Sequence, residues 1–566
     1  MVILFNFLLI IGFSLSWDMP DSYKAPAKKQ FSNTNIGKPN FFPDNTIFIN
    51  SIYLGNLLDK MSYNEIVETK LSDYILNQLR NEGVPRKIRS FIKDPSLLGF
   101  DLDVPIYTFL SGDYIDTRGA QNLIFGMILP IKDYDLFEIN VATLIDLIPD
   151  RDVDIVDGKL NSEFHYTIFK DGYRDVIGLC YNRDHLIVLA TDDRFNLKSE
   201  LTSLVTKNNS FNKQGIDSLN DGDINMWFDL TMFKDLMEDL YEDLYYELDF
   251  SEDEIDLMIN DVNRSIDATP YFIVNSTSNA ESINFNFKSL VSPQGSDLWK
   301  ESLSILNKKI GNKIIQKISS KSLGSVGLSF DIIALEKIMN EYSQQYDFDE
   351  FQDNLDDFLY DYNISKDDLL KIFDGNFVFS VNDIDMRNEY LDAIFVAGLG
   401  NSDQLINIIH NLSINGEFPP DFPKIYKNEI IDITSPRSRE ELYLLIENDF
   451  IYLGSLDALR NAKRNNNFKK KIIKNNPKDL NFFSTISLDR MIDFIPTRRQ
   501  DDRQLKSFLR SLKLGTLDVE YEASSTYSEM NFSLEVNSIN QNPLEFIIFN
   551  LIPIIEDEIL YDNDGW

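Results

Sequence analysis

The sequence predicts an α+β fold of two homologous halves, each a largely antiparallel sheet with helices packed on it. Three observations carry this. A ten-residue block, Ile52 to Met61, returns as Phe228 to Met237, Phe330 to Met339 and Ile486 to Ile495. Each copy opens with the alternation of a half-buried strand and closes with apolar residues three and four apart, the period of a helix with one buried face. Finally, unlike elements recur in order: the hairpin around Asn182-Arg183-Asp184 is matched by one around Glu447-Asn448-Asp449, and Ile283 to Phe287 is matched by Met530 to Leu534. A repeat longer than two hundred residues means a duplicated domain and not a solenoid. Clustered strand hairpins punctuated by helices fit an antiparallel sheet better than a doubly wound parallel one.

The elements follow in order. Val2 to Phe13 is an apolar run too short to span a bilayer, followed by small residues at Ser14-Leu15-Ser16, so residues 1–16 read as a signal peptide. Residues 17–40, with Pro20, Pro26 and Pro39, read as a flexible leader. The first half is expected over 41–317, with a helical stretch at 64–81, strands at 103–109 and 122–128, and a short helix at 137–147. Three strands around 165–189, an acidic helical region from Asp235 to Asn260 and an amphipathic helix from Asp297 to Lys317 complete it. The second half is expected over 322–556, with an acidic helical region reaching Tyr362, strands at 376–381 and 393–397, a helix at 403–412 and a last helix from Pro543 to Ile555. Residues 557–566 read as an acidic tail. Because Phe285 and Phe532 align, they are expected at matching inward positions; Leu57 and Leu58 are expected inside, with Leu335 and Ile338, and Asp59 outside with Lys337.

Composition narrows the function classes. A chain of 566 residues with 43% hydrophobic content can build several packed cores. A net charge of -37 opposes nucleic acid, whose phosphates repel an acidic surface, and opposes docking on anionic lipid. The single cysteine, Cys180, allows no intrachain disulfide and reads as a small core residue in an apolar strand. His165, His185 and His410 are scattered, with no pair at the spacing of a zinc helix.

Two acidic stretches approach a calcium loop without completing one. Counting from Asp217, the third position is Leu219 and the twelfth Phe228, so two ligands fail; in Asp150 to Gly158 the glycine falls one residue late. Both are read as turns. The acidic runs from Glu242 to Asp256 and from Asp347 to Asp361 carry interleaved aromatics, the pattern of an amphipathic surface helix. Phe546 to Ile555 is apolar enough to be a buried helix, and Pro553 and its length exclude a membrane span. Gly398-Leu399-Gly400 lacks the third glycine of a nucleotide loop and reads as a strand-to-helix turn. No residue is assigned as catalytic, cofactor-binding or metal-ligating, and no cofactor is expected.

Phe42-Pro43-Asp44-Asn45-Thr46-Ile47, Leu97-Leu98-Gly99-Phe100-Asp101-Leu102 ahead of Pro105, and Phe373-Asp374-Gly375-Asn376-Phe377-Val378-Phe379 together carry a family resemblance. The chain after residue 41 resembles the exported Bacteroidetes proteins of the domain of unknown function 4836 family. The resemblance implies export, often with a lipid anchor, and supplies no catalytic residues. No lipid-attachment cysteine follows the apolar run here.

These readings lead to an exported bacterial cell-envelope protein, in the periplasm or at the cell surface, acting as a non-catalytic binding or scaffolding module. Its partner would be an envelope protein or an extracellular ligand, with no nucleic acid and no transmembrane segment in the mature chain. The alternative is an extracytoplasmic hydrolase using paired carboxylates in the cleft between the halves, which the 91 acidic residues would allow.

Overall fold

The structure, a computed structural model, describes residues 41–562 apart from 82–83, 85, 113, 117–118, 122, 146–152, 192–195, 207–210, 212, 235–251, 294, 320–321, 338–359, 361–363, 386–389, 415–421, 435–440, 464–479, 496–498 and 538–540. The expected signal peptide, the leader and most of both acidic runs lie outside the described residues. The fold is α+β, and every strand pairing with a defined register within it is antiparallel.

The chain divides into two compact units. Unit one holds the chain up to Phe250, Pro270–Phe285 and the segment from Ser538; unit two holds Ser251–Thr269 and Asn286–Asn537. This differs from a cut between 317 and 322. A helix belongs with the surface that its apolar face covers, whatever its place in the sequence. The Pro543–Asp562 helix lays Ile552 and half-buried Ile548 and Phe549 onto Leu54, Leu58 and Tyr63 in unit one. In unit two, Trp299 of the Ser296–Leu306 helix donates its indole N–H to the Ser524 carbonyl at 2.7 Å.

Unit one contains β1 (Thr46–Ile52), β2 (Ile106–Ser111), β3 (Tyr114–Asp116), β4 (Gly119–Gln121), β5 (Ile124–Pro130), β6 (Val153–Lys159), β7 (His165–Asp171), β8 (Arg174–Tyr181), β9 (His185–Ala190), β10 (Ile224–Asp229) and β11 (Tyr271–Ser278). Strands β3 and β4 form a small separate antiparallel ribbon. The others pair in the order β11-β10-β1-β2-β5-β9-β8-β7-β6. Strand β12 (Ser282–Leu290) passes from unit one to unit two after Phe285.

Unit two contains β13 (Gly324–Ser329), β14 (Phe373–Asp385), β15 (Tyr390–Leu399), β16 (Ile430–Asp432), β17 (Tyr443–Ile446), β18 (Phe450–Gly454), β19 (Phe482–Ser487), β20 (Leu514–Ala523) and β21 (Tyr527–Val536). They pair as β21-β20-β19-β13-β14-β15-β18-β17-β16. Chain order within the two sheets corresponds: β11-β10-β1-β2-β5-β9-β8-β7 reads as β20-β19-β13-β14-β15-β18-β17-β16, which leaves β6 and β21 as edge strands without a counterpart in these two orders of the described residues.

All four blocks run from strand to helix. Strand β1 leads into the Leu54–Lys60 helix, β10 into the Leu230–Phe233 3-10 turn, β13 into a helix at 332–337, and β19 into the Leu488–Met491 helix. Leu54 and Leu58 are buried and Asp59 is exposed, as the helical period requires. Leu57 and Leu335 are half-buried, Lys337 is exposed, and Ile338 lies outside the described residues.

Several expectations are corrected. Phe285 is 42% exposed, whereas Phe532 is half-buried with its ring edge-on to Phe287 at 5.3 Å, so the aligned pair does not share an inward position. The helix expected from Asp297 to Lys317 is broken: after Leu306 the chain extends, the Ile310 amide donates to Leu480, and a new turn spans Asn312–Ile315. The turn expected over Asp150 to Gly158 is corrected: Val153–Lys159 form β6, whose backbone pairs with β7. The last helix continues through Asp562 into the expected acidic tail, with Pro553 inside it.

Candidate functional site

A cleft of unit one is built on the first block. Tyr53 ends β1 by donating its amide to the Asp223 carbonyl at 2.9 Å, and the helix starts at once. Gly55 donates its amide to the Leu102 carbonyl at 2.9 Å, and a Cβ there would stand 2.8 Å from the same oxygen. Only glycine lets the helix start press so closely on that loop.

The facing wall is the segment from Asp94 to Asp103. Asp94 accepts from the Ser96 amide at 3.1 Å and caps the Pro95–Leu98 3-10 turn. Gly99 follows with φ +84°, the left-handed conformation that glycine adopts without strain. Its carbonyl accepts the amides of Lys132 at 2.8 Å and Asp133 at 3.0 Å, tying the wall to the end of β5. The segment from Leu97 to Leu102 thus forms the wall of this cleft.

The cleft has a volume of about 740 Å³. Leu58, Phe100, Leu102 and Leu136 give it an apolar floor, and Asp59, Asp103, Asp133 and Asp135 face Lys132 and Arg183 along its lining. Lys132 is committed internally: its ammonium lies 3.2 Å from Asp103 and 3.8 Å from Asp101. The Asp59 carboxyl is raised above its ordinary value, first by partial burial and then by the Asp103 charge. Ser96 donates to Asp94 and the Tyr134 hydroxyl to Glu138 at 3.3 Å, so neither hydroxyl is paired with a base in the cleft. The arrangement can hold a positively charged or hydroxyl-rich molecule over an apolar base.

The residues singled out in the sequence lie elsewhere. Cys180 is buried on β8, where burial pushes its thiol up to about 12. His165 stacks on Tyr181 at 5.7 Å and His185 meets Phe41 edge-on at 5.5 Å; burial lowers the His185 pKa, against a smaller rise from Asp184. His410 lies in unit two with a ring nitrogen 3.5 Å from the Ile425 carbonyl. Asp217 to Asn220 are in a 3-10 turn ahead of β10, as read, and Gly400 makes the turn between β15 and the Ser402–Ile414 helix by donating to Ile372 at 2.8 Å. Phe546 and Ile552 are buried.

Among the described residues, no group of three or more His, Cys, Asp or Glu is placed to hold a metal ion, and no helix is long and apolar enough to cross a membrane. Sequence reasoning did not find the Asp59 cleft, since its lining comes from four separate segments; the one local signal was Gly99 inside the Leu97 to Leu102 motif. Comparison with known proteins adds no functional assignment: no family model, no curated protein and no solved structure matches the chain.

Proposed function

We propose that this is an exported, non-catalytic binding module of the bacterial cell envelope, and that the Asp59 cleft takes a small amine-bearing ligand. The observation that carries the reading is the excess of four carboxylates over two cations around an apolar floor, with Lys132 already occupied by Asp101 and Asp103. An ammonium group meets charge complementarity there, and its hydrocarbon part meets Leu58 and Phe100. Titrating the protein with putrescine tests this. Binding that falls at least tenfold in an Asp59→Asn, Asp103→Asn double variant supports it, and absence of binding overturns it.

The hydrolase reading has one supporting observation, that Asp59 and Asp103 share a cleft and the charge of one raises the pKa of the other. Against it, the Asp103 side chain is 58% exposed and held 3.2 Å from the Lys132 ammonium, so it is neither buried nor unpaired as the partner carboxylate of Asp59. Turnover of a glycoside or peptide panel, abolished by Asp59→Asn, would favour the enzyme.

Export is supported by the apolar run from Val2 to Phe13 and the small residues Ser14-Leu15-Ser16. Sequencing the N-terminus of the native protein should find residues 1–16 removed; a mature chain still carrying Phe5 to Phe13 would end this part of the reading. The corresponding strand orders of the two units support a tandem duplication, in which the blocks at 52 and 330 are equivalent and those at 228 and 486 are equivalent.

A further inference from the structure

We propose that a second cleft of unit one, on β6, β7 and β8, binds a ring-bearing carboxylate. This site is separate from the Asp59 cleft and does not depend on it. It has a volume of about 690 Å³, within the range of small-molecule sites. Its base is set by cross-strand packing. Gly158 of β6 lies opposite Tyr166 of β7, and a Cβ on Gly158 would stand 2.7 Å from the tyrosine ring, so the ring can only lie as it does over a glycine.

Charge at this cleft runs against the rest of the chain. Lys170, Arg174 and Lys198 line it with only Asp171 and Asp175. Asp175 is buried and fully engaged, with one oxygen 3.1 Å from the Lys170 ammonium and the other accepting the Leu197 amide at 3.0 Å. That neutralises Lys170 and fixes the start of the Leu197–Thr206 helix at the cleft, which places Lys198 with its ammonium 4.9 Å from the centre of the Tyr166 ring. Arg174 and Lys198 have no carboxylate partner among the described residues. In a protein of net charge -37, this cleft brings together two cations without a carboxylate partner among the described residues. Salt screens charges beyond about 8 Å, so an anion inside the cleft responds to these two cations more than to distant acids.

The ring requirement comes from the neighbours of those cations. Tyr173, in the turn beside Arg174, is fully exposed, and Val156 of the edge strand is exposed on the same lining. A ring can lay one face on Tyr173 and Val156 while its carboxylate reaches Arg174 and Lys198. Asn196 uses its side-chain oxygen to cap Ser199 at 3.1 Å, which leaves its NH2 group to donate to a ligand hydroxyl. Sugar acids and aromatic acids share this chemistry, and the experiment separates them.

The whole protein is titrated calorimetrically with galacturonate, with benzoate, with neutral galactose and with inorganic phosphate. At least one carboxylate should bind, galactose should not, and phosphate should bind at least tenfold more weakly than the better carboxylate. An Arg174→Gln, Lys198→Gln double variant should lose at least tenfold in affinity, and Tyr173→Ala should also weaken binding. These side chains are exposed, so the variants should keep the wild-type melting curve. Asp59→Asn should leave carboxylate binding unchanged, which separates this proposal from the amine cleft. The proposal is overturned if neither carboxylate binds, if galactose or phosphate binds as tightly, or if the double variant binds like wild type.

Discussion

Phe109 of β2 lies directly over Gly126 of β5, its partner across the sheet, so that a Cβ on the glycine would stand 2.0 Å from the ring. Unit two has the same device on other strands: Phe483 of β19 covers Gly327 of β13, with a Cβ reaching to 2.1 Å of its ring. Both phenylalanines are fully buried. A glycine opposite an aromatic leaves room for the ring to lie flat on the sheet and restores the packing that glycine lacks. Gly126→Ala should therefore overpack the core and cost about 1–3 kcal/mol, and Gly327→Ala a similar amount. Thermal unfolding of each single variant checks this, and wild-type stability in either would show that the rings shift without cost.

Leu58 lies in the block at 52 and Leu335 in the block at 330, and the two differ in burial. Leu58 is 4% exposed, packed on Leu54, Tyr63 and Ile552, while Leu335 is half-buried. Leu58→Ala should cost about 2–5 kcal/mol, the range for a buried leucine that leaves a cavity. Leu335→Ala should cost only about 1 kcal/mol, since much of its surface already meets solvent. Urea midpoints compare the two, and equal costs would contradict the burial difference.

These pairs show what the sequence made legible. The change from strand to helix period located all four blocks, because period reports which face is buried. The α+β class followed from the density of hairpins. The division into units was not legible: the Pro543–Asp562 helix reads the same whichever sheet it covers. Phe285 was misplaced because alignment of Phe285 with Phe532 carries no information on which sheet face meets a core. The Asp59 cleft was hidden for a related reason. Asp59 and Asp103 are each an ordinary exposed aspartate in sequence, and only Gly55 donating to Leu102 brings their segments together.

The thiol of Cys180 has zero exposure and a pKa pushed by burial from 9.0 to about 12. A thiol-reactive dye should label the folded protein slowly at neutral pH and label it fully only after unfolding. The folded state holds this proton more tightly than the unfolded state. Its contribution to stability is therefore complete below about pH 9 and is lost as pH rises towards 12. Cys180→Ala should remove that alkaline dependence and leave ligand binding unchanged. Rapid labelling of the native protein would refute the buried placement.

Lys213 holds a buried acid beneath the second block. Its ammonium lies 2.7 Å from Asp229, whose side chain is only 5% exposed, and also sits over the Trp227 ring at 5.5 Å. The other Asp229 oxygen accepts from the Thr231 amide at 3.1 Å and from its hydroxyl at 2.6 Å. Lys213→Met leaves that carboxylate desolvated with neutral donors alone and should cost about 3 kcal/mol. Lys213→Met with Asp229→Asn should recover part of the loss, because no charge is then left buried. A double-mutant cycle measured by chemical denaturation checks this. A double variant less stable than the sum of the singles would mean that the pair is not what organises the turn.

Asp59 offers the last test, and it reports on the cleft itself. Partial burial and, after it, the Asp103 charge both disfavour the Asp59 carboxylate, so its pKa in the folded protein is raised above the ordinary 3.8. The folded state binds this proton more tightly than the unfolded chain does. The stabilising effect is thus present below the unfolded value and is lost as pH rises through the raised one. Asp103→Asn removes one of the two causes and should move the Asp59 titration downward, while burial keeps it from returning fully. Carbon-detected NMR of the aspartate carboxyls follows both titrations directly. An amine held at this cleft needs the ionised carboxylate, so putrescine affinity should rise as pH climbs through the Asp59 titration, and the rise should begin at lower pH in Asp103→Asn. An Asp59 titration unmoved by Asp103→Asn would show that the two carboxylates do not share one field, and the cleft would lose the feature on which its binding role rests.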